Sequence, residues 1–388
     1  MSPLKIGIVG LKCLDHLTGA EVPRYLGGIE TQLATLAKGL ASQGCEVSLI
    51  TFDHGQADDL EVDGVRVLKS HAPDAGIRLV RTVHPRTTGL LRAMRRAAAD
   101  VYLQMGAGME TGQVSLGCRQ LNRPFVFCMA SDADFGAHLA SGPLGLEGRA
   151  YRFGLKQACT IVAQTEAQRA GLRAATGLES NIIPMAIIPP DGTAEPDERP
   201  HVLWVGRIMP TKRLEWLLAA ARRCPEAVFD IVGTPNQQSE HATHLMEEAR
   251  RMPNVNVHGR APASKLANLY EGATLFACTS ELEGFPTTFL EAWSLGVPVV
   301  TTFDPDNVVA THGLGEVAGD LDDFISKLTG LLADPTRREI FAAAARLYYQ
   351  SNHSIAEVSR RFKEMLENAA GKKPKERVVA ALYERRSE

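Results

Sequence analysis

The chain has 388 residues, 45% of them hydrophobic and 22% charged, and carries a formal net charge of −3. That length exceeds the ~100–200 residues of one domain, so two domains with separate cores are expected. The balanced charge gives no reason to expect nucleic acid as a partner, and seven scattered cysteines with no C-x-x-C pair fit reduced thiols rather than a disulfide scaffold.

The opening MSPLKIGIVG enters a strand-like run without a basic leader, and no stretch approaches the ~18 apolar residues of a membrane span. A cytoplasmic location is expected, extending at most to the inner face of a membrane. Strands are predicted over 4–9, 47–51, 101–105, 125–129, 161–164 and 182–184. Between the first two, Ile29, Leu33, Leu36, Ala37 and Leu40 recur at helical spacing and Gly44 stops the helix. In the basic segment 78–96, an apolar stripe of Leu90, Leu91, Met94 and Ala98 runs beside Arg92, Arg95 and Arg96, with Arg78, Arg81 and Arg86 upstream. Two readings stand: a domain helix whose stripe faces the sheet, or peripheral contact with anionic lipid.

PPDGTAEPDERP, at 189–200, is rich in proline and acid with no apolar period, and reads as a linker. Strands follow over 202–205, 229–232, 255–258, 275–279 and 297–301, with Leu214, Leu217, Leu218 and Ala221 marking a helix between the first two. After about residue 336 the pattern is helical, and Ile355, Val358, Phe362 and Met365 keep a 3–4 spacing. The charged end, 371–388, reads as a surface helix or a frayed tail.

Strands alternating with helices need crossover connections, which build parallel sheets covered on both faces. The fold class is therefore α/β, with two Rossmann-like doubly wound domains facing a cleft. Their expected extents are 1–190 and 191–350, followed by a helix at 351–370. Ligands of such sheets bind beyond the carboxyl ends of the strands.

The segment SELEGFPTTFLEAWSLGVPVV follows the strand at 275–279. Glu283 and Gly284 lie in its loop, Pro286 suits a helix start, and the amides of Thr287 and Thr288 would be first-turn donors for a diphosphate. Glu291, eight residues after Glu283, suits a ribose diol, and Glu283 suits sugar hydroxyls. Each glutamate alone also reads as an ordinary loop or helix acid. In VGRIMPTKRLEWLL, Gly206 and Arg207 follow a strand and Lys212 opens the next helix. Both charges reach the same mouth, where two cations can neutralise a departing diphosphate; they also read as solvated loop cations.

Arg207, Lys212, Glu283-Gly284-Phe285-Pro286 and Glu291, in this order and context, resemble the donor domain of retaining glycosyltransferase family 4, of the GT-B fold. GGIETQLATLAKGLASQGCEV, with Gly27, Gly28 and Glu30, and TEAQRAGL at 165–172 extend the likeness to the first half. The resemblance implies that Arg207 and Lys212 bind the diphosphate, Glu283 the transferred sugar and Glu291 the ribose. It also implies that Gly27 and Gly28 amides close over the phosphates and that the helix near 351–368 packs on the first domain. The implied activity is transfer of a sugar, with retention, from a nucleoside-diphosphate sugar to an acceptor hydroxyl on a glycan or lipid-linked partner, without a separate cofactor.

Three positions depart from that pattern. Arg213 stands where the family has glycine after the lysine, Met185-Ala186 replaces an Asn-Gly pair, and MASDADF keeps Asp132 but lacks a preceding histidine. Asp132 remains the candidate for an acceptor-side catalytic role. The pairs Asp132/Asp134 and Asp304/Asp306 have D-x-D spacing but read as incidental, so no metal site is expected. GIVGLK lacks a dinucleotide fingerprint, His241 and His244 lack a third ligand, and Cys278 reads as a small core residue. Two rival functions are a sugar-nucleotide epimerase of the same shape and a non-catalytic nucleotide-sugar-binding module.

Overall fold

A computed structural model describes residues 2–20, 23–25, 27–77, 82–136, 145–193, 199–235, 239–281 and 283–371. Arg78, Arg81, residues 194–198 of the linker and the tail after Gly371 lie outside the described residues. The chain divides into two compact units: Met1–Ala186 together with the chain from Ile355 onward, and Ile187–Ser354.

The first unit is built on β1 (Lys5–Val9), β2 (Glu46–Thr51), β3 (Leu60–Val62), β4 (Val65–Lys69), β5 (Val101–Met105), β6 (Phe125–Cys128), β7 (Thr160–Ala163) and β8 (Asn181–Ile182). Their order is β3-β4-β2-β1-β5-β6-β7-β8, parallel except where β3 meets β4. Every residue of β5 is buried, as a strand covered on both faces requires. Leu103 and Met105 join one core with Leu33, Leu36 and Leu40, while Tyr102 points to the other with Leu90 and Met94.

The helix Ile355–Ala370 returns to this unit and lies along Gly28–Ser42. Val358, Phe362, Met365 and Leu366 bury its apolar face, each stabilising by roughly 1.5–3 kcal/mol. A side chain on Gly39 would collide with Ser359, so glycine permits this close approach.

The antiparallel β3–β4 hairpin was not anticipated from the sequence. Its turn, Asp63-Gly64, takes φ of 49° and 75°, the left-handed pair that a two-residue hairpin loop needs. The basic helix Thr88–Ala97 settles the choice between the two readings of its stripe. Leu90, Leu91 and Met94 are buried in the core, so the stripe that a lipid surface would need is already covered. Ala98, read as part of that stripe, is an exposed left-handed cap.

The second unit is built on β9 (His201–Val205), β10 (Val228–Val232), β11 (Val255–Gly259), β12 (Leu275–Cys278), β13 (Val299–Thr301) and β14 (Gly315–Val317). The order β11-β10-β9-β12-β13-β14 is parallel throughout, and the winding reverses between β9 and β12. Phe229, Ile231, Val202 and Trp204 bury one face of this sheet. No helix among the described residues is long and apolar enough to cross a membrane.

Candidate active site

The reversal between β9 and β12 sets two loops side by side, because the strands that feed them are neighbours. Glu281 N donates to Thr211 O at 2.8 Å, and the Thr279 hydroxyl donates to Lys212 O at 2.5 Å while accepting from Trp204 Nε1 at 3.1 Å. Arg213 ties the arrangement further. Its guanidinium donates to Thr279 O at 2.8 Å, Ser280 O at 3.1 Å and the Thr302 hydroxyl at 2.8 Å, and lies 4.2 Å from the centre of the Trp216 ring.

Arg213 has φ of 46°, a left-handed conformation that glycine adopts without cost. The departure from the family's glycine thus changes more than local charge. A strained backbone position is held by bonds to two other loops.

These loops enclose a cavity of about 300 Å³ lined by Gly206, Lys212, Glu283, Phe285, Pro286, Thr287 and Thr288, with Trp204 and Ser280. Lys212 Nζ pairs with Glu283 Oε1, and the Ser280 hydroxyl donates to the same oxygen at 2.7 Å. Both side chains of the pair are about one-fifth exposed (20% and 19%), so solvent screens the pair only partly.

The helix Thr287–Ser294 starts at the cavity. Pro286 is its cap rather than its first helical residue, with φ −68° and ψ 121°, and no acid stands in the first turn. Phe289 N donates to Pro286 O at 3.1 Å, while the amides of Thr287 and Thr288 precede the helix's own bonds and lie at its positive end, equivalent to roughly half a charge. Lys212 and that helix start bring positive charge to the cavity, and Glu283, paired with Lys212, brings a carboxylate.

Glu291 does not line the cavity. It stands one turn beyond Thr287 on the same helix, where Tyr270 OH donates to Oε2 at 2.6 Å. Burial pushes its carboxyl pKa up, and the bond from Tyr270 opposes that shift. Arg207 is exposed on the loop after β9, and Gly284 is exposed on the loop after β12; neither lines the cavity.

Gly27, Gly28 and Asp132 belong to the first unit. Gly27 caps the helix Gly28–Ser42, and Asp132 is exposed at the start of the short turn Asp132–Asp134. One carboxylate of each D-x-D pair is taken up by the backbone. Asp134 is buried and accepts from Ala130 N at 2.6 Å, and Asp304 accepts from Val309 N at 2.8 Å and Ala310 N at 3.1 Å.

Sequence reasoning missed Ser280, Trp204 and the anchoring role of Arg213. Ser280 was within reach, since a hydroxyl three residues before Glu283 in one loop can meet its carboxylate. The contacts of Arg213 join segments distant in sequence and leave no local signal.

Two doubly wound parallel sheets, with a cavity at the reversal of the second, define the class of GT-B α/β proteins. Among solved structures the chain resembles sucrose-phosphate synthase from Thermosynechococcus elongatus, with a TM-score of 0.67 and 18% identity over 94% of this chain and 98% of that one. A glycosyltransferase from Rickettsia africae gives a TM-score of 0.71 at 14% identity, covering 96% of this chain and all (100%) of the other. Identities this low establish the fold alone.

Family models match in both units: the glycosyl transferase 4-like domain over 27–191 and glycosyl transferases group 1 over 190–369. The chain belongs to the group 1 glycosyltransferases. A D-inositol 3-phosphate glycosyltransferase of Xylanimonas cellulosilytica is 27% identical over 82% of this chain and 87% of its own length. The sulfoquinovosyl transferase of Arabidopsis thaliana is 32% identical over 38% of this chain. That match spans 30% of the plant protein, so the likeness covers less than a third of its length.

Proposed function

We propose that the chain transfers a sugar, with retention, from a nucleoside-diphosphate sugar to an acceptor hydroxyl in glycoconjugate synthesis. The observation that carries this reading is the second unit's cavity: Lys212 paired with Glu283 beside a helix start that has no acid in its first turn. The amides of Thr287 and Thr288 and the Lys212 ammonium would hold the diphosphate, with Arg207 as a more exposed second cation on the same loop. Glu283 would hold hydroxyls of the transferred sugar, and Glu291 the ribose.

In the transfer the acceptor oxygen bonds to the anomeric carbon as the bond from that carbon to the diphosphate oxygen breaks. The acceptor proton passes to the departing diphosphate on the same face. No protein nucleophile is needed, and catalysis consists of positioning and of stabilising the charge that grows on the leaving group. Two cations and a helix start can replace the charge of a divalent ion, so turnover is expected to survive EDTA. Asp132 would serve the acceptor side, and Asp132→Asn is expected to impair acceptor use more than nucleotide binding.

A panel of UDP, GDP and ADP sugars tests the reading by thermal shift and slow donor hydrolysis. One nucleotide series should raise the melting temperature and release nucleoside diphosphate; no response to any of them would remove the assignment. Formation of an isomeric nucleotide sugar without acceptor would favour the epimerase instead.

A further inference from the structure

Gly284, Phe285 and Pro286 join Glu283 to the helix Thr287–Ser294. A side chain on Gly284 would meet nothing within 4 Å, so packing does not hold the loop at that point. Phe285 is the anchor. It lines the second unit's cavity, and its ring meets two others. Trp293 lies 6.3 Å away between ring centres, edge-on at 78°, and His353 lies 5.2 Å away. Tyr348 closes the circuit, 5.5 Å from Trp293 and 5.4 Å from His353. In this cycle of four rings no member can shift without disturbing two neighbours.

Trp293 belongs to the helix that continues the loop, whereas Tyr348 and His353 come from the end of the helix Pro335–Asn352. His353 is only 1% exposed, and its backbone is tied on both sides. Its N–H donates to Tyr349 O at 2.8 Å, and its carbonyl accepts from Ile187 N at 3.4 Å. The Tyr349 hydroxyl donates to Ile187 O at 3.0 Å, which tightens the same corner. A fixed, buried ring therefore bears on a loop residue that faces the cavity.

We propose that His353 is a positioning residue for sugar transfer: its ring holds Phe285, and Phe285 holds the loop that presents Glu283. This role rests on the glycosyl-transfer reading above and extends it to a side chain outside the cavity lining. A displacement of about 1 Å in a group that orients the reacting sugar can cost about a hundredfold in rate. Lys212 stands on another loop and Thr287 and Thr288 on the helix itself, so contacts to the diphosphate survive a shift that displaces Glu283. The loss falls on transfer and spares nucleotide affinity.

The test offers UDP-glucose, GDP-mannose and ADP-glucose to the full chain, and the sugar hydrolysed fastest serves as donor for the variants. His353→Leu fills a similar volume without a ring and should lower kcat by about tenfold or more. Affinity for the matching free nucleoside diphosphate should change by less than about twofold. His353→Phe restores a ring and should return kcat to within about threefold of the unaltered value. Phe285→Leu should cost as much as His353→Leu, and the double variant little more, because both break one contact. Phe285→Leu, at a half-buried position, also keeps the question answerable if His353→Leu fails to fold.

Hydrogen exchange of residues 283–289 reads the loop without any donor. It should speed by about tenfold in His353→Leu and slow again in His353→Phe, with Val228–Val232 unchanged. A lower melting temperature with unaltered kcat and loop exchange would reduce His353 to core packing and overturn the proposal. Independent, multiplying losses in the double variant would overturn it too. Hydrolysis of none of the three sugars strikes the donor reading, and loop exchange then still decides whether His353 sets the loop.

Discussion

The two units use the same device and charge it in opposite ways. In each, a doubly wound sheet reverses, and helices begin at a cavity beyond the strand ends. In the second unit the helix Thr287–Ser294 has no acid in its first turn and Lys212 stands beside it. In the first, Glu30 and Glu110 occupy the first turns of Gly28–Ser42 and Met109–Leu121. The backbone supplies the same positive helix end at every site, so side chains alone decide whether that end is offered to an anion or spent internally. Ligand class is therefore not a property of the fold.

The largest effect is expected where the second cavity meets the reacting sugar. Glu283→Gln should lower turnover by about 2–4 kcal/mol of transition-state stabilisation and leave free nucleoside diphosphate affinity nearly intact. Steady-state kinetics beside calorimetry reads both. Unchanged transfer would take Glu283 out of the site.

Copying the first unit's charge pattern into the second breaks the contrast directly. Thr288→Glu places an acid at the second position of its helix, as Glu110 stands in Met109–Leu121. It should weaken nucleoside diphosphate binding by roughly 1–2 kcal/mol, most strongly at low salt. Salt-independent affinity equal to that of the unaltered protein would mean the helix start does not meet the phosphates.

Arg213 offers an ordered pair of variants. Losing its bonds to Thr279, Ser280 and Thr302 in Arg213→Ala should destabilise by about 1–3 kcal/mol. Arg213→Gly loses the same bonds but relieves the left-handed backbone, and should be the more stable of the two by about 1 kcal/mol. Urea midpoints give the order, and the reverse order would contradict the strain argument.

Strands and helices were largely legible because burial on both faces writes continuous apolar runs, as at 101–105, and amphipathic helices write a 3–4 period, as at 355–365. The β3–β4 hairpin had a signal in VDGV, an Asp-Gly turn between short alternating runs, that went unread. β14, at three residues, is too short to show a period. At the site, Lys212, Glu283 and Thr287 could be named because they follow strand ends in fixed order. That Arg207 is exposed and Glu291 tucked against Tyr270 depends on loop geometry, which sequence spacing does not carry.

A smaller effect concerns pH. Burial raises the folded-state pKa of Glu291, so its contribution to stability is full below the unfolded value and is lost as pH rises through the folded one. Glu291→Gln lacks that loss and can still accept from Tyr270. Relative to the unaltered protein it should gain stability as pH climbs from below to above the ordinary glutamate range, and its affinity for nucleotide should fall. Chemical denaturation across that range checks the sign, and a constant difference would refute it.

The second unit's cavity is expected to bind a diphosphate through Lys212 and the helix start, without a metal. Calorimetric titration of UDP, GDP and ADP into the unaltered chain, Lys212→Ala, Arg207→Ala and the double variant, all in EDTA, checks this. One nucleotide should bind, and Lys212→Ala should weaken it by about tenfold or more. Arg207→Ala should weaken it less, and the double variant should lose less than the sum because both cations act on one charge cluster. Binding that appears only when Mg²⁺ or Mn²⁺ is restored, or unaltered affinity in the double variant, would contradict it.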